Sequence, residues 1–373
     1  MFMHLISNPN RVTRFSLHLS LQLLTLLLLL AGCTPIAGTA PAIPAPAAPA
    51  PAVPAQMETP IDAGGPLVIY SGRNENLVGP LLQQFQADTG IQVEVRYGGT
   101  SEMAATILEE GNNSPADVFY GQDAGALGAL SQAGRLASLP AEVTDLVDAR
   151  FRSGQGDWIG TSGRARVLVY NTDLVAEADL PMDIWGLTEA RWQGKIGWAP
   201  TNGSFQAFIT ALRVLEGEDQ AQAWLEAMIA NRVQSFANNT SIVEATGRGE
   251  IEAGLVNHYY LLQFLSEKGE SFPARNYFFP TATAGAMINV AGAGIINTSA
   301  RPQAAQAFIV YLLSPKAQQY FADETDEYPL IPGIPLNPVL PTLGDLPTPA
   351  LDLGDLDDLQ GSLDLLQDVG AME

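Results

Sequence analysis

Residues 67–90 read LVIYSGRNENLVGPLLQQFQADTG, and this stretch decides the fold class. Its first four residues form a short apolar run, which is typical of a parallel strand buried on both faces. The segment 75–89 has apolar residues at helical spacing, and Gly90 directly after it is a common helix-ending residue. A buried strand followed at once by an amphipathic helix is the repeating unit of α/β proteins.

The same alternation continues on the C-terminal side of this stretch. Strands are expected at 91–97 and 116–120, and helices are expected at 101–110 and 124–132. Three strand–helix units within about 70 residues predict an open parallel sheet.

A second set of elements follows between residues 165 and 323. Strands are expected at 165–170, 195–199, 254–260 and 286–296, and the strand 254–260 leads directly into a helix. Helices are expected at 240–247, at 302–323, and at 205–231, where Gly217 divides the segment into two helices. The sequence therefore predicts an α/β fold with two sheets.

The composition excludes two classes of protein. The chain has 373 residues, of which 47% are hydrophobic and only 16% are charged, so it can bury a core and is not disordered throughout. Its formal net charge is −22, with 18 basic residues against 40 acidic ones. Because a phosphate backbone requires a basic surface, we expect no nucleic-acid partner.

Residues 1–32 have the features of a secretory signal peptide. Arg11 and Arg14 precede an apolar stretch at 17–30 that is too short for a membrane-spanning helix. The sequence Leu-Ala-Gly-Cys that ends at Cys33 resembles the bacterial lipobox, in which cleavage leaves a lipid-bearing cysteine at the new N-terminus. An ordinary signal peptide, or an anchor helix with a coincidental cysteine, is the alternative.

Residues 33–65 are rich in proline and alanine, a composition that favours an extended, semi-rigid tether. A lipidated Cys33 followed by such a tether would hold a folded body close to a membrane. We therefore expect an extracytoplasmic protein that is lipid-anchored to the cell membrane, in the periplasm or on the cell surface.

Cysteine and histidine are too scarce for several kinds of site. Cys33 is the only cysteine, and His258 is the only histidine beyond residue 32. The sequence therefore allows no internal disulfide, no thiolate metal site and no histidine cluster. It also contains no recognisable base–nucleophile pair, so we do not expect an enzyme.

Tyr259 and Tyr260 are the most informative local pair. They could be two aromatic residues of a strand, one buried and one exposed. A phenolate, however, is a hard anionic ligand that suits Fe³⁺, and such a cation can remove the phenol proton well below its ordinary pKa of about 10. Residues 200–204 open a helix, and the amides at a helix N-terminus bind small anions that could complete a ferric coordination sphere.

The sequence resembles the ferric-iron-binding proteins of bacterial ABC importers, which have the two-lobed type II periplasmic-binding-protein fold. The resemblance covers most of residues 66–335. The matching segments are 67–73 (LVIYSGR), 85–91 (FQADTGI), 115–120 (PADVFY), 162–167 (SGRARV), 249–260 (GEIEAGLVNHYY) and 304–313.

The resemblance implies a domain organisation with a ligand cleft between two lobes. Lobe 1 would comprise 66–165 plus 286–335, and lobe 2 would comprise 166–285. Crossing strands near 163–166 and 285–289 would join them. Residues 336–373 would be an acidic C-terminal extension, for which a docked terminal helix is favoured over a free interaction arm.

The resemblance also implies a set of site residues. Tyr259 and Tyr260 match the adjacent iron-ligating tyrosines of the family. Five positions match those that hold the synergistic anion, carbonate or phosphate: Asn202, Gly203, Ser204, Asn239 and Asn257.

Two positions depart from the family pattern. Asn74 stands where many members have a ligating His, and Gln122 stands where they have a ligating Glu. Glu75 or Asp123 could substitute by a shift of one residue. Arg73 could neutralise an anion or an iron chelate in the cleft, or could form a surface ion pair.

The resulting hypothesis is a monomeric solute-binding protein that captures Fe³⁺ with a synergistic anion and delivers the iron to an ABC permease. One alternative keeps the fold but binds a small organic or phosphate-bearing solute, with the tyrosines as stacking or hydrogen-bonding groups. An enzyme built on the same fold is the third class.

Overall fold

The structure is a computed structural model that describes residues 64–372. The signal peptide, Cys33 and most of the proline-rich tether lie outside the described residues. Within the described part of the chain, no helix has the length and apolar character needed to span a bilayer.

A first sheet contains the strands predicted in the N-terminal half. Strands β1 (Leu67–Ser71), β2 (Val93–Tyr97) and β3 (Val118–Gly121) are parallel to one another, with β1 in the middle. The helices that connect or follow them are α1 (Glu75–Thr89), α2 (Thr100–Glu110), α3 (Ala124–Gln132) and the one-turn α4 (Ala141–Thr144). Helix α1 has the predicted bounds because the Asn74 side chain caps its first turn and Gly90 ends it with φ of 76°.

Strand β4 (Trp158–Asn171) is buried along its whole length and belongs to two sheets. Up to Ala165 it pairs antiparallel with β9 (Ile288–Ile295) of the first sheet, and β9 also pairs with β3. From Arg166 onward it pairs with strands of a second sheet. The sequence analysis places a crossing between the lobes at this point.

The second sheet contains β5 (Ile196–Trp198), β6 (Gln234–Ser235), β7 (Ala253–Asn257) and β8 (Ala274–Tyr277). Its helices are α5 (Gly203–Glu216), α6 (Glu218–Ala230), α7 (Asn239–Gly247) and α8 (Tyr259–Lys268). Helices α5 and α6 are broken at Gly217, as predicted. Edge-to-face contacts of Trp198 with Phe205, and of Phe208 with Trp224, fill the core beneath them.

Three elements differ from the sequence-based predictions. The strand at 254–260 ends at Asn257, and both tyrosines begin α8 instead, because His258 already has helical φ and ψ of −58° and −38°. The segment 302–323 forms two helices, α9 (Pro302–Leu312) and α10 (Pro315–Glu324), because Pro315 cannot continue a helix. Strand β4 begins seven residues before the predicted start at 165, since its polar and glycine residues are buried by pairing with β9 and with the short strand β10 (Tyr328–Pro329).

The C-terminal extension ends in two helical pieces, which we call the C-terminal strap. They are a 3-10 helix (Leu353–Asp357) and helix α11 (Leu359–Asp368). Leu353, Leu356, Leu365 and Leu366 are buried. The terminal helix is therefore docked on the folded body.

Candidate functional site

A cleft of about 820 Å³ lies where α3, α5 and the start of α8 face one another. The predicted site residues that line it are Gln122, Asn202, Gly203, Ser204, Tyr259 and Tyr260. The carboxyl ends of strands form its walls, which is where open α/β sheets bind ligands.

Tyr259 and Tyr260 present both phenol rings to this cleft from the first turn of α8. Their ring centroids are 4.4 Å apart with 30° between the ring planes, and both side chains are partly exposed. Burial, and then the proximity of Tyr260, raises the pKa of Tyr259 above its ordinary value. The phenol is therefore protonated at neutral pH, and a hard cation would have to displace its proton.

His258 fixes the start of α8 against the rest of the molecule. Its Nδ1 accepts a hydrogen bond of 3.1 Å from the Ala165 amide of β4, so its Nε2 is the atom that donates to the Asp326 carbonyl at 2.8 Å. Burial lowers the pKa of His258 to about 4, and the neutral ring that this implies matches the two hydrogen bonds. His258, the residue before the tyrosine pair, is therefore joined to β4 and to the Asp326 carbonyl.

Three of the predicted anion residues form one hydrogen-bonded cluster at the N-terminus of α5. Asn202 Oδ1 accepts from the Ser204 amide at 3.0 Å and from Ser204 Oγ at 2.7 Å. Asn239 Nδ2 donates to Ser204 Oγ at 3.1 Å. A side chain at Gly203 would meet nothing within 4 Å, so the local packing does not require a glycine there.

Arg166 is a buried cation beside this cluster that the sequence analysis missed. It packs over Phe205 and Phe208, and its Nη1 is 3.5 Å from Ser204 Oγ. Its Nε and Nη2 have no hydrogen-bond partner among residues 64–372. Burial lowers the pKa of Arg166 to about 9, which marks a charge that its surroundings do not neutralise. An anion next to Ser204 would neutralise it.

Asn257 and Asn239 lie behind the surface of the cleft. Asn257 ends β7 directly opposite Arg166 of β4, and both asparagines are buried. The sequence did contain an indication that Arg166 belongs to the site. In the segment 162–167, Arg164 and Arg166 are two residues apart, so in a strand both side chains point to the same face. Arg164 also lines the cleft and donates to the Gln122 carbonyl.

Only some of the residues that were predicted to contact the ligand from lobe 1 line the cleft. Gln122 lines it, whereas Asn74 is exposed and caps α1 by accepting from the Asn76 amide at 2.9 Å. Asp123 also lines the cleft, but it caps α3, and burial raises its pKa. Glu75 is exposed in the first turn of α1.

Arg73 contacts neither the cleft nor the surface. It forms a buried bidentate pair with Glu327, at 2.8 and 2.7 Å, and Ser162 Oγ donates to the same carboxylate at 2.9 Å. Arg164 Nε lies 3.9 Å from Glu327. Both roles that the sequence analysis considered for Arg73 are therefore corrected: its partner is 254 residues away in the chain, beyond the reach of any local pattern.

Comparison with known proteins adds independent evidence. The sequence model of the family of bacterial extracellular solute-binding proteins matches residues 81–348 of this chain. The chain belongs to this family.

Two kinds of relative define its place among the solute-binding proteins. The Fe(3+)-binding periplasmic protein of Serratia marcescens is 34% identical over 292 residues, which are 78% of this chain and 86% of that protein. The crystal structure of iron-bound HitA from Pseudomonas aeruginosa is 36% identical, covers 82% of this chain and 99% of its own, and has a TM-score of 0.74. A Trichodesmium protein (IdiA, FutA) in complex with iron and citrate is 28% identical with the same coverage and a TM-score of 0.71.

These findings confirm the resemblance drawn from the motifs and the two-lobed α/β fold of this solute-binding protein. The Serratia relative is a periplasmic binding protein by name. We use lobe 1 for the part that carries the first sheet and lobe 2 for the part that carries the second.

The donor atoms of the cleft are oxygens. Among residues 64–372, no three His, Cys, Asp or Glu side chains lie close enough together to hold a metal ion. The phenol oxygens of Tyr259 and Tyr260 are the adjacent pair of oxygen donors that this cleft offers to a cation.

Proposed function

We propose that this solute-binding protein captures ferric iron together with a synergistic anion and delivers it to an ABC permease. The observation that carries the proposal is the Tyr259–Tyr260 pair, which shares one cleft with the anion-binding features of α5. The iron-binding relatives support it, since two of them have iron in their solved structures.

The two parts of the site divide the work. The phenolates of Tyr259 and Tyr260 would bind Fe³⁺ directly, because hard oxygen anions suit a small trivalent cation. The Ser204 hydroxyl, the N-terminus of α5 and Arg166 would hold carbonate or phosphate, whose oxygens would occupy further positions on the iron. Such an anion replaces the His and Glu ligands that Asn74 and Gln122 do not supply.

The remaining parts of the proposal concern location and partners. We place Cys33 as the lipidated residue of a membrane-anchored monomer, with residues 33–65 as the tether. Lobe boundaries at 165–166 and 285–286 are part of the same proposal. The protein binds and releases its cargo and is not an enzyme.

An iron titration of the full chain tests the iron site. Ferric citrate is added in the presence of carbonate or phosphate while the visible charge-transfer band of iron-bound tyrosinate is recorded. We expect a band that saturates at a single iron per chain and that is lost in Tyr259→Phe/Tyr260→Phe. Tyr97→Phe is the matched control, because Tyr97 is partly buried at the end of β2 and does not line the cleft. Absence of the band in the unmodified chain would point to a different solute.

Replacement of the buried guanidinium tests the anion site. In Arg166→Met, the apolar stem still packs over the two phenylalanines, while the charge is lost. We expect the gain in iron affinity that carbonate or phosphate confers to fall by about tenfold, because a charge-assisted contact to the anion is removed. Arg150→Met, at an exposed position, is the control. Equal anion dependence in Arg166→Met and the unmodified chain would exclude Arg166 from the anion site.

A further inference from the structure

The C-terminal strap is the third wall of the cleft. Residues of both helical pieces line the same cleft as residues of α3 and α5. They are Leu356, Asp357, Leu359, Gln360 and Leu363. Helix α3 belongs to lobe 1 and α5 to lobe 2. The strap therefore passes from one lobe to the other alongside the ligand cavity.

The first piece of the strap is seated on lobe 1. Its backbone approaches α3 so closely that a side chain at Gly125 would collide with the Leu356 carbonyl, and one at Gly128 would collide with the Gly354 carbonyl. Leu353 and Leu356 are buried at the same contact. Only glycine allows this approach, so the 3-10 helix is held most closely against α3, while its smaller contact is with α5 of lobe 2.

The second piece of the strap is seated on lobe 2. Helix α11 packs along α5, where the Thr210 and Ser362 hydroxyls are 2.8 Å apart and buried. Leu365 and Leu366 are buried on α11. Helix α11 therefore moves with α5.

The joint between the two pieces is Asp358, which has non-helical φ and ψ of −83° and 64°. Arg213 of α5 holds this joint: Nη2 binds the Asp358 carboxylate at 2.7 Å, and Nη1 binds the Asp358 carbonyl at 2.9 Å. A single non-helical residue, Asp358, thus connects the piece packed on lobe 1 to the piece packed on lobe 2. Arg213 of lobe 2 binds this residue through both its carboxylate and its carbonyl.

We propose that the strap is a third connection between the lobes, a tether whose length at Asp358 limits how far the cleft opens and thereby slows the release of cargo. Opening moves α3 away from α5, so it stretches the chain between the two seats and pulls Asp358 away from Arg213. The effect on iron release rests on the proposed function, whereas the limit on opening does not.

A linker inserted at the joint tests the tether while leaving both seats intact. The sequence Gly-Ser-Gly-Ser is inserted between Asp358 and Leu359 of the full chain, and the same insertion after Gly333, in an exposed turn upstream of the strap, is the control. Lobe separation is measured without iron from the distance between spin labels at Glu109→Cys and Glu226→Cys, in a chain that also carries Cys33→Ala.

The joint insertion is expected to broaden the distance distribution toward longer values and to speed iron transfer to a competing chelator about tenfold, while the control insertion changes neither. Arg213→Met, which frees the joint without lengthening it, is expected to give a smaller change in the same direction. Unchanged distances in both strap variants would overturn the proposal that the strap limits opening. If the distances lengthen but the unmodified chain shows no charge-transfer band with iron, the strap still limits opening, and iron is rejected as the cargo.

Discussion

Two buried arginines, Arg73 and Arg166, have opposite electrostatic surroundings. Arg73 is matched by the Glu327 carboxylate, whereas Arg166 retains two donors without partners among the described residues. A matched buried pair supports structure, and removal of one partner leaves an uncompensated charge. An unmatched buried cation next to a cleft is instead suited to a ligand of opposite charge. The two side chains show that burial alone does not tell whether an arginine has a carboxylate partner.

The Arg73–Glu327 pair makes stability depend on acid pH. Burial alone would raise the pKa of Glu327, but the charge and hydrogen bonds of Arg73 override it and lower the pKa to about 2. Because the folded pKa lies below the unfolded value of 4.5, the stabilisation is complete above that value and is lost as pH falls toward 2. In Glu327→Gln we expect a loss of about 3–5 kcal/mol in unfolding free energy at pH 7, and a flatter pH profile in this window.

Denaturant unfolding at pH 7 and pH 3 measures both effects. The control is Asp148→Asn, which removes the partner of Arg150 in an exposed pair and is expected to cost less than about 1 kcal/mol. If Glu327→Gln loses stability between these two pH values as steeply as the unmodified chain, Glu327 is not the group responsible.

Elements with local start and stop signals were predicted well from the sequence, and elements defined by distant partners were not. The bounds of α1 and α3 follow from capping side chains and adjacent residues, which are visible in a short window. The first half of β4 was missed because its burial depends on β9 and β10, more than 120 residues later. Within the site, the motif resemblance located the tyrosines and the Ser204 cluster. It did not locate Glu327. A docked C-terminal helix was expected, but its position beside the cleft was not, because these contacts join segments far apart in the chain.

The packing of α7 on β7 is a testable feature at the level of elements. A side chain added at Gly254 would collide with Cγ2 of Ile242, whose side chain is fully buried on α7. We expect Gly254→Ala to lower the unfolding free energy by about 1–3 kcal/mol through overpacking. Gly79→Ala on α1 is the control, because its added carbon has ordinary contacts and alanine favours a helix by up to about 1 kcal/mol. Equal stability of the two variants would show that the α7–β7 contact adapts without cost.

At the level of the whole molecule, the proposed iron site would couple cargo binding to the release of protons. Because the pKa of Tyr259 is raised, iron bound to this phenol oxygen as proposed would have to displace the phenol proton. Such binding would release a proton, and affinity would rise with pH; the loss of a single proton per iron would give up to about tenfold per pH unit. Proton release on iron addition, measured in weakly buffered solution, is expected to be smaller in Tyr259→Phe than in the unmodified chain. Equal release would show that the Tyr259 phenol keeps its proton.

The position of β9 in the first sheet has a consequence for biosynthesis. This strand lies between β3 and β4, yet its residues, 288–295, are made only after every strand of the second sheet. During synthesis, β3 and the first half of β4 therefore lack β9, their partner strand, while more than a hundred further residues are added. Lobe 1 can complete its sheet only after residue 295 of the 373-residue chain has emerged. The strand order of the first sheet thus makes the folding of lobe 1 depend on a strand that follows the whole of lobe 2 in the chain.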